Sequence, residues 1–287
     1  MKKLLILLGV LGVSLSAPLI RLSDAPAPVL ALYRVALAAL LLLPWVLTRR
    51  REELRSLGRR ELCLCLLAGL FLGLHFACYF QALRYTGIAS AVVLVDTEVF
   101  FVALLLPLLF RERVSPPGWL GILVTFGGSV LIALSDAAGG GNVLLGDLIA
   151  LAGAACMAGY TLLGRACRRK LSTAVYTFLV YASAALTLLL ADLLTGTPLL
   201  GYGPVNLLTA LGMAVFCTLL GHSVFSWGLR YESPAFISTV KLLEPVFAAL
   251  LGLLLFREVP ALPVVLGGAV VITGVFLYTR FGEKKGT

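Results

Sequence analysis

The sequence has few charged residues, and this scarcity excludes most soluble folds. Lys, Arg, Asp and Glu make up 13% of the 287 residues, about half of the roughly 25% that is typical of soluble domains. The apolar set AVILMFWYC supplies 60%, more than a soluble globule of this size can bury. A run of about 20 apolar residues is long enough to cross a hydrocarbon core of roughly 30 Å. The composition therefore predicts an integral membrane protein with many helical spans.

Motifs for catalysis and nucleotide binding are also missing. The sequence has no phosphate-binding Gly-x-x-x-x-Gly-Lys loop, no Gly-x-Ser-x-Gly elbow and no His-Glu-x-x-His pair, so ATP-driven pumping and hydrolysis are disfavoured. The six cysteines lie within or beside apolar stretches and lack the spacing of a zinc site or a disulfide framework. We expect no catalytic residue, no cofactor and no metal, and the chain is predicted not to be an enzyme.

Ten unbroken apolar runs predict ten membrane-spanning helices and an all-α fold, since membrane strands would show alternating polarity. The first run follows a basic start and ends at small residues, as a secretory signal peptide does. We interpret it as the first span, because the internal repeat requires ten. The predicted spans are residues 4–22, 28–48, 61–83, 88–110, 117–135, 146–164, 173–193, 205–229, 234–256 and 262–280.

Basic residues concentrate on alternate loops. Eighteen of the 23 Lys and Arg residues fall on one side, whereas only Arg21, Arg84 and Arg257 fall on the other. The positive-inside rule then places both termini in the cytoplasm, and we expect the inner or cell membrane of a bacterium. This distribution explains the net charge of +9, so nucleic acid is not an expected partner.

The two halves of the sequence match at a fixed offset of 146 residues. This offset lays Leu83-Arg84-Tyr85 on Leu229-Arg230-Tyr231, Phe110-Arg111-Glu112 on Phe256-Arg257-Glu258, and Glu98 on Glu244. We therefore divide the chain into two five-helix repeats, residues 1–137 and 138–287. Because five is an odd number, the second repeat crosses the membrane in the opposite sense. Such inverted-topology repeats are typical of secondary transporters.

Several short motifs occur in a recognisable order. Ser16-Ala17-Pro18 and Tyr33-Arg34 lie in the first half, and Gly221-His222 and Leu243-Glu244-Pro245-Val246-Phe247 lie in the second. Their order resembles the ten-helix EamA type of the drug/metabolite transporter superfamily, over essentially the whole chain. The resemblance implies a membrane transporter. Where that family often has a hydroxyl residue and then proline in the fourth helix, this chain has Asp96-Thr97-Glu98-Val99, so the resemblance assigns no substrate.

Five charged residues lie well inside the predicted spans, more than two residues from either end, where each costs about 2.5 to 3.5 kcal/mol and is a functional candidate. They are Arg34, Asp96, Glu98, Lys241 and Glu244. Glu98 and Glu244 lie near the middle of their spans and correspond in the repeat, so we expect them to face each other. Two carboxylates in a low-dielectric site cannot both be ionised cheaply, which predicts proton exchange near neutral pH.

Two of these charges have alternative roles. Lys241 precedes Glu244 by three residues, which permits a local ion pair or a role in substrate binding. Pro245 has no N–H for the carbonyl of Lys241, so a backbone acceptor is exposed beside the charges. Asp96 lies about 200° from Glu98 on a regular helix, and we expect it to form a structural ion pair with Arg34 or His75.

The two histidines and nearby aromatic residues complete the predicted site. His75 and His222 either hydrogen-bond between helices or relay protons. Tyr79 and Trp227 lie on the same two helices and are candidates for a cavity wall, with core packing as the alternative.

Together these features predict a secondary active transporter of a small polar metabolite, amino-acid-like or cationic, that works by alternating access with proton coupling or exchange. The alternative is a translocase for lipids or lipid-linked sugars. The expected partners are a small-molecule substrate and membrane lipid, and a homodimer stays open.

Overall fold

The computed structural model describes residues 2–86, 88–134, 143–257 and 259–282, and within these ranges every regular element is a helix. The helices of the first half are α1 (Lys2–Ser14), α2 (Ser16–Ile20), α3 (Ala27–Arg49), α4 (Arg51–Arg55), α5 (Arg59–Ala82), α6 (Ile88–Asp96), α7 (Glu98–Phe110) and α8 (Pro116–Leu134). Those of the second half are α9 (Val143–Arg168), α10 (Thr173–Thr195), α11 (Pro204–Gly212), a π-helix (Met213–His222), α12 (Ser223–Gly228), α13 (Pro234–Lys241), α14 (Glu244–Phe256) and α15 (Leu262–Phe281).

These helices form ten apolar spans. Spans 1, 4 and 9 each consist of two helices, which are α1 with α2, α6 with α7, and α13 with α14. Span 8 runs from α11 through the π-helix to α12. The other spans are single helices: span 2 is α3, span 3 is α5, span 5 is α8, span 6 is α9, span 7 is α10 and span 10 is α15. Among the described residues, nine spans are long and apolar enough to cross a membrane, and the tenth, α8, is a shorter apolar helix. The predicted all-α membrane fold is confirmed.

Three spans are broken near the level of the predicted site. Span 9 breaks between Lys241 and Glu244, with Pro245 in the first turn of α14. Span 1 breaks at Leu15, where Pro18 has no N–H to offer the carbonyl of Ser14. Span 4 breaks at Thr97 without a proline. Discontinuous helices of this kind commonly form the binding sites of transporters.

The helix boundaries of the two halves correspond under the offset of 146 residues. Ala27–Arg49 maps onto Thr173–Thr195, and Glu98–Phe110 maps onto Glu244–Phe256. The helices α7 and α14 even end alike, because Arg111 and Arg257 both adopt the left-handed conformation, with φ of 58° and 57°. The predicted boundary at 137/138 lies outside the described residues.

Glycines bring spans 5 and 10 into close contact. A Cβ atom on Gly128 would lie 2.7 Å from the backbone nitrogen of Val271, and one on Gly274 would lie 2.4 Å from that of Thr125. Small residues commonly allow backbones to approach closely within membranes. Many leucines on the outside of the bundle are exposed, including Leu108 and Leu254, as expected for a surface that faces lipid.

The loops that share the excess of Lys and Arg lie at one end of the bundle, which we call the basic end. There Arg165 pairs with Glu112 at 2.8 Å and Lys170 pairs with Glu61 at 2.7 Å. At the other end, the Thr86 hydroxyl donates to Asp147 at 2.9 Å. The alternation of loops inferred from the basic residues therefore agrees with the contacts between loops.

Candidate substrate and proton site

A buried ion pair joins the two halves at the breaks in spans 4 and 9. Lys241, the last residue of α13, donates from Nζ to Oε1 and Oε2 of Glu98 at 2.7 and 2.8 Å. Glu98, the first residue of α7, also accepts hydrogen bonds at Oε1 from Ser238 at 2.6 Å and Thr161 at 3.3 Å. The ion pair that the sequence permitted between Lys241 and Glu244 is thus replaced by one across the interface between the halves.

Glu244 differs from its repeat mate. It begins α14 and is half-buried, and its carboxylate forms no hydrogen bond or ion pair within the described ranges. Its charge interacts electrostatically with Arg34, Lys241 and Glu98. The position that corresponds to Lys241 in the first half is Val95, so the lysine of the site has no symmetric counterpart.

Asp96 belongs to the same charge cluster, and the expectation that it pairs with Arg34 or His75 is wrong for the residues the structure describes. Its Oδ2 atom is buried without a hydrogen-bond partner there, and its charge interacts with Glu98, Glu244 and Lys241. The cause is the break at Thr97, whose N–H and hydroxyl both reach the carbonyl of Leu94. Angles taken from a regular helix do not apply across such a break.

Arg34 belongs to span 2, and its buried side chain contacts spans 1, 3 and 8. Its side chain donates from Nε to Thr218 at 3.1 Å and from Nη1 to Ser16 at 3.4 Å. The guanidinium also lies 5.0 Å from the centre of the Phe76 ring. Its Nη2 atom is buried and has no hydrogen-bond partner among the described residues.

The two histidines have different environments. Nδ1 of His75 lies 3.1 Å from the carbonyl oxygen of Gly153, a hydrogen bond between spans 3 and 6. His222 ends the π-helix, with the rings of Phe76 and Phe225 at 5.9 and 6.3 Å, and its Nδ1 has no partner in the described parts of the chain. The inter-helix hydrogen bond that the sequence allowed is therefore seen for His75.

The two aromatic candidates, Tyr79 and Trp227, lie in different parts of the structure. Tyr79 packs against Phe80 at 5.3 Å, and its hydroxyl interacts electrostatically with Glu244 and Asp96. Trp227 instead packs against Tyr231, with ring centres 4.9 Å apart and the planes tilted by 55°. Because the ring of Tyr231 also lies under the Lys2 ammonium, Trp227 belongs to the basic end, and its role as a cavity wall is not supported.

Several hydroxyl groups complete the site, and the sequence reasoning missed them. Thr161 and Ser238 bind Glu98, whereas Ser16 and Thr218 bind Arg34. These Ser and Thr residues stand within otherwise apolar runs, which was the signal that could have found them. No sequence pattern predicted that the turns around Thr218 would be π-helical, although π-helical turns often occur at functional sites.

Arg165 makes several contacts at the basic end. Besides its ion pair with Glu112, it donates from Nη1 to the carbonyls of Leu229 and Glu232 at 2.7 and 3.1 Å. These contacts connect the end of span 4, the end of span 6 and the turn between spans 8 and 9. One side chain therefore joins three segments at this surface.

Comparison with known proteins identifies the class of this fold and site. The profile of the EamA-like transporter family matches residues 2–134 and 144–280. The chain belongs to the EamA-like transporter family, and it is an integral, multi-pass membrane protein of the transporter class.

Individual relatives cover nearly the whole chain. An uncharacterized transporter from Archaeoglobus fulgidus is 28% identical over 254 residues, which are 87% of this chain and 86% of that protein. The pseudopaline exporter CntI of Pseudomonas aeruginosa is 26% identical over 264 residues, covering 91% and 88%. A solved crystal structure matches with a TM-score of 0.83 at 20% identity, covering 97% and 96% of the two chains, and this likeness concerns the fold alone.

Proposed function

We propose that the protein is a secondary active transporter that moves a small polar metabolite by alternating access, with proton coupling or exchange. The observation that carries this proposal is the Lys241–Glu98 ion pair, which joins the two halves and leaves Glu244 without a partner among the residues that the structure describes. An alternating-access transporter needs a central site whose contacts change when the halves rock. This pair is such a contact.

The charges of the site leave one carboxylate in excess. Lys241 neutralises Glu98, so Asp96 and Glu244 remain against the single positive charge of Arg34. An uncompensated charge is costly inside a membrane. A proton or a cationic substrate group bound at Glu244 removes this cost, and therefore links the occupancy of the site to its stability.

Lys241 can couple the binding of a proton or substrate at Glu244 to movement of the two halves. When Glu244 carries a proton or a substrate cation, it offers Lys241 no negative charge, and the lysine stays on Glu98. When Glu244 is empty and ionised, it competes for the ammonium and weakens the bond between the halves. The two conformations then differ in their affinity for the proton, which is the condition for coupling.

The orientation follows from the basic end, which we place in the cytoplasm, together with both termini, on the positive-inside rule. The contacts of Arg165 then close the cytoplasmic surface. The relative named as an exporter supports testing outward as well as inward movement.

Uptake and counterflow in proteoliposomes test the proposal. A panel of labelled amino acids and polyamines is assayed at several pH values with the wild type, with Glu244→Gln, and with Glu52→Gln, an exposed charge on α4, as the control. We expect wild type and Glu52→Gln to show the same pH-dependent uptake, and Glu244→Gln to lose that dependence. Normal transport with unchanged pH dependence in Glu244→Gln contradicts the site. Loss of fluorescent lipid asymmetry in a dithionite assay, without uptake of any metabolite, favours the lipid translocase instead.

A further inference from the structure

Arg34 differs from a buried arginine that only stabilises the fold, and the chain contains an example of the latter for comparison. Arg168 is 1% exposed and donates from Nε to Ser226, from Nη1 to Leu171 and from Nη2 to Thr173. All three of its nitrogens are bound. Arg34 is 4% exposed, yet its Nη2 has no partner among the described residues.

The residues around Arg34 hold its guanidinium in place but do not use all of its hydrogen-bond donors. Thr218 binds Nε, and the hydroxyl of Thr218 itself lies 3.3 Å from the carbonyl of Met213, five residues earlier in the π-helix. Phe76 supports the face of the guanidinium. Ser16 accepts one hydrogen bond from Nη1, so Nη2 and the second N–H of Nη1 are left as a fork, which fits a carboxylate.

Span 1 contacts both Arg34 and the start of α14, which carries Glu244. Ser14 and Ser16 flank the break at Leu15. The Ser14 hydroxyl lies 3.2 Å from the backbone carbonyl of Glu244, and Ser16 accepts the hydrogen bond from Arg34. Two residues of span 1 therefore connect Arg34 to the start of α14, where Glu244 lies, and the charges of Arg34 and Glu244 interact electrostatically.

We propose that Arg34 is the carboxylate-binding residue of the transport site, and that the substrate is a small α-amino acid whose ammonium group binds at Glu244. This inference rests on the proposed transport function and narrows its substrate class. A zwitterion satisfies both groups without changing the net charge of the site. A plain amine leaves the Nη2 atom of Arg34 unbound, and a plain carboxylate leaves Glu244 unbound. Unsatisfied buried groups of this kind are costly, so the arrangement selects against both.

The test measures ligand-induced thermal stabilisation of the full chain in nanodiscs. The probes are the twenty proteinogenic L-amino acids, each compared with its carboxamide, which keeps the ammonium but lacks the carboxylate. For the wild type we expect at least one amino acid to bind with about tenfold or greater preference over its carboxamide, the size expected for a charge-assisted hydrogen bond. The preference is a ratio within one protein, so it does not depend on expression level.

Three variants assign the preference to Arg34. In Arg34→Gln we expect the ratio of acid to carboxamide to fall to about one, and in Arg34→Lys to fall less, because the charge remains without the fork. Thr218→Val keeps the guanidinium and weakens its orientation, so it provides a second test if Arg34→Gln does not fold. Arg84→Gln, which removes an exposed arginine in the loop after span 3, should keep the wild-type ratio.

Several outcomes overturn the inference. These are equal binding of acid and carboxamide by the wild type, an unchanged ratio in Arg34→Gln, and stabilisation by none of the twenty amino acids. Counterflow of polyamines or other metabolites in proteoliposomes, combined with no amino acid binding, refutes the substrate class but leaves the transport function intact. Lipid scrambling without metabolite transport refutes the transport function itself.

Discussion

Lys241 binds both carboxylate oxygens of Glu98, at 2.7 and 2.8 Å, although Glu244 follows it by only three residues on the same span. On a continuous helix that spacing favours the local pair. Here α13 ends at Lys241 and α14 begins at Glu244, so the two side chains do not share one helical face. The break directs the lysine to the other half of the protein.

The ion pair predicts a specific pattern of stability. Lys241→Met leaves Glu98 buried without its cation, and we expect a loss of about 3 kcal/mol in the free energy of unfolding, since a buried charge that loses its partner is costly. Adding Glu98→Gln to the same chain should restore most of this loss. Denaturant titration of the single and double variants measures both effects. Equal stability of wild type and Lys241→Met would mean that the pair does not hold the halves together.

The contacts of Arg165 predict how the basic end opens. Glu112→Gln removes the charge that positions Arg165 beside the carbonyls of Leu229 and Glu232. We expect faster amide hydrogen exchange in residues 229–233, measured by mass spectrometry, because this turn loses its link to span 6. Glu52→Gln removes the same charge from an exposed position on α4 and should leave this exchange unchanged. Unaltered exchange in Glu112→Gln argues against a closing role for Arg165.

Adjacent glycines on α8 provide a matched test of helix packing. A Cβ on Gly128 would lie 2.7 Å from Val271 N and 2.8 Å from Gly267 O, whereas one on Gly127 would have no atom of the described residues within 4 Å. Gly128→Ala should therefore destabilise the protein by about 1 to 3 kcal/mol through overpacking. Gly127→Ala should be neutral or stabilising by roughly 0.5 to 1 kcal/mol, because alanine favours the helix. Equal melting temperatures for the two variants would refute the close contact between spans 5 and 10.

The helices and the repeat could be predicted from the sequence because both depend on local or self-similar patterns. Apolar runs predicted the spans to within a few residues, and Pro245 predicted that the carbonyl of Lys241 loses its helical hydrogen bond. The break at Thr97 could not be predicted, since no proline marks it, and the error about Asp96 follows from that.

The side-chain contacts between different helices could not be predicted from the sequence, for a different reason. The partner of Lys241 depends on how two helices meet in space, and neither of their sequences records that. The repeat also misled in one respect, because it suggested that Glu98 and Glu244 are equivalent. Lys241 corresponds to Val95 and Ser238 to Val92, so the first half does not offer Glu244 the lysine and serine that bind Glu98.

The most direct measurement of the proposed role of Glu244 is an infrared titration of the full chain in nanodiscs across neutral pH, which needs no substrate. The groups that interact electrostatically with Glu244 include Arg34, Lys241, Glu98, Asp96 and Tyr79, and the excess negative charge among them predicts a protonated carboxyl group. We expect its carbonyl stretching band to titrate in the wild type and in Glu52→Gln, and to be absent in Glu244→Gln. A band that persists unchanged in Glu244→Gln would contradict the assignment of Glu244 as the proton-binding carboxylate.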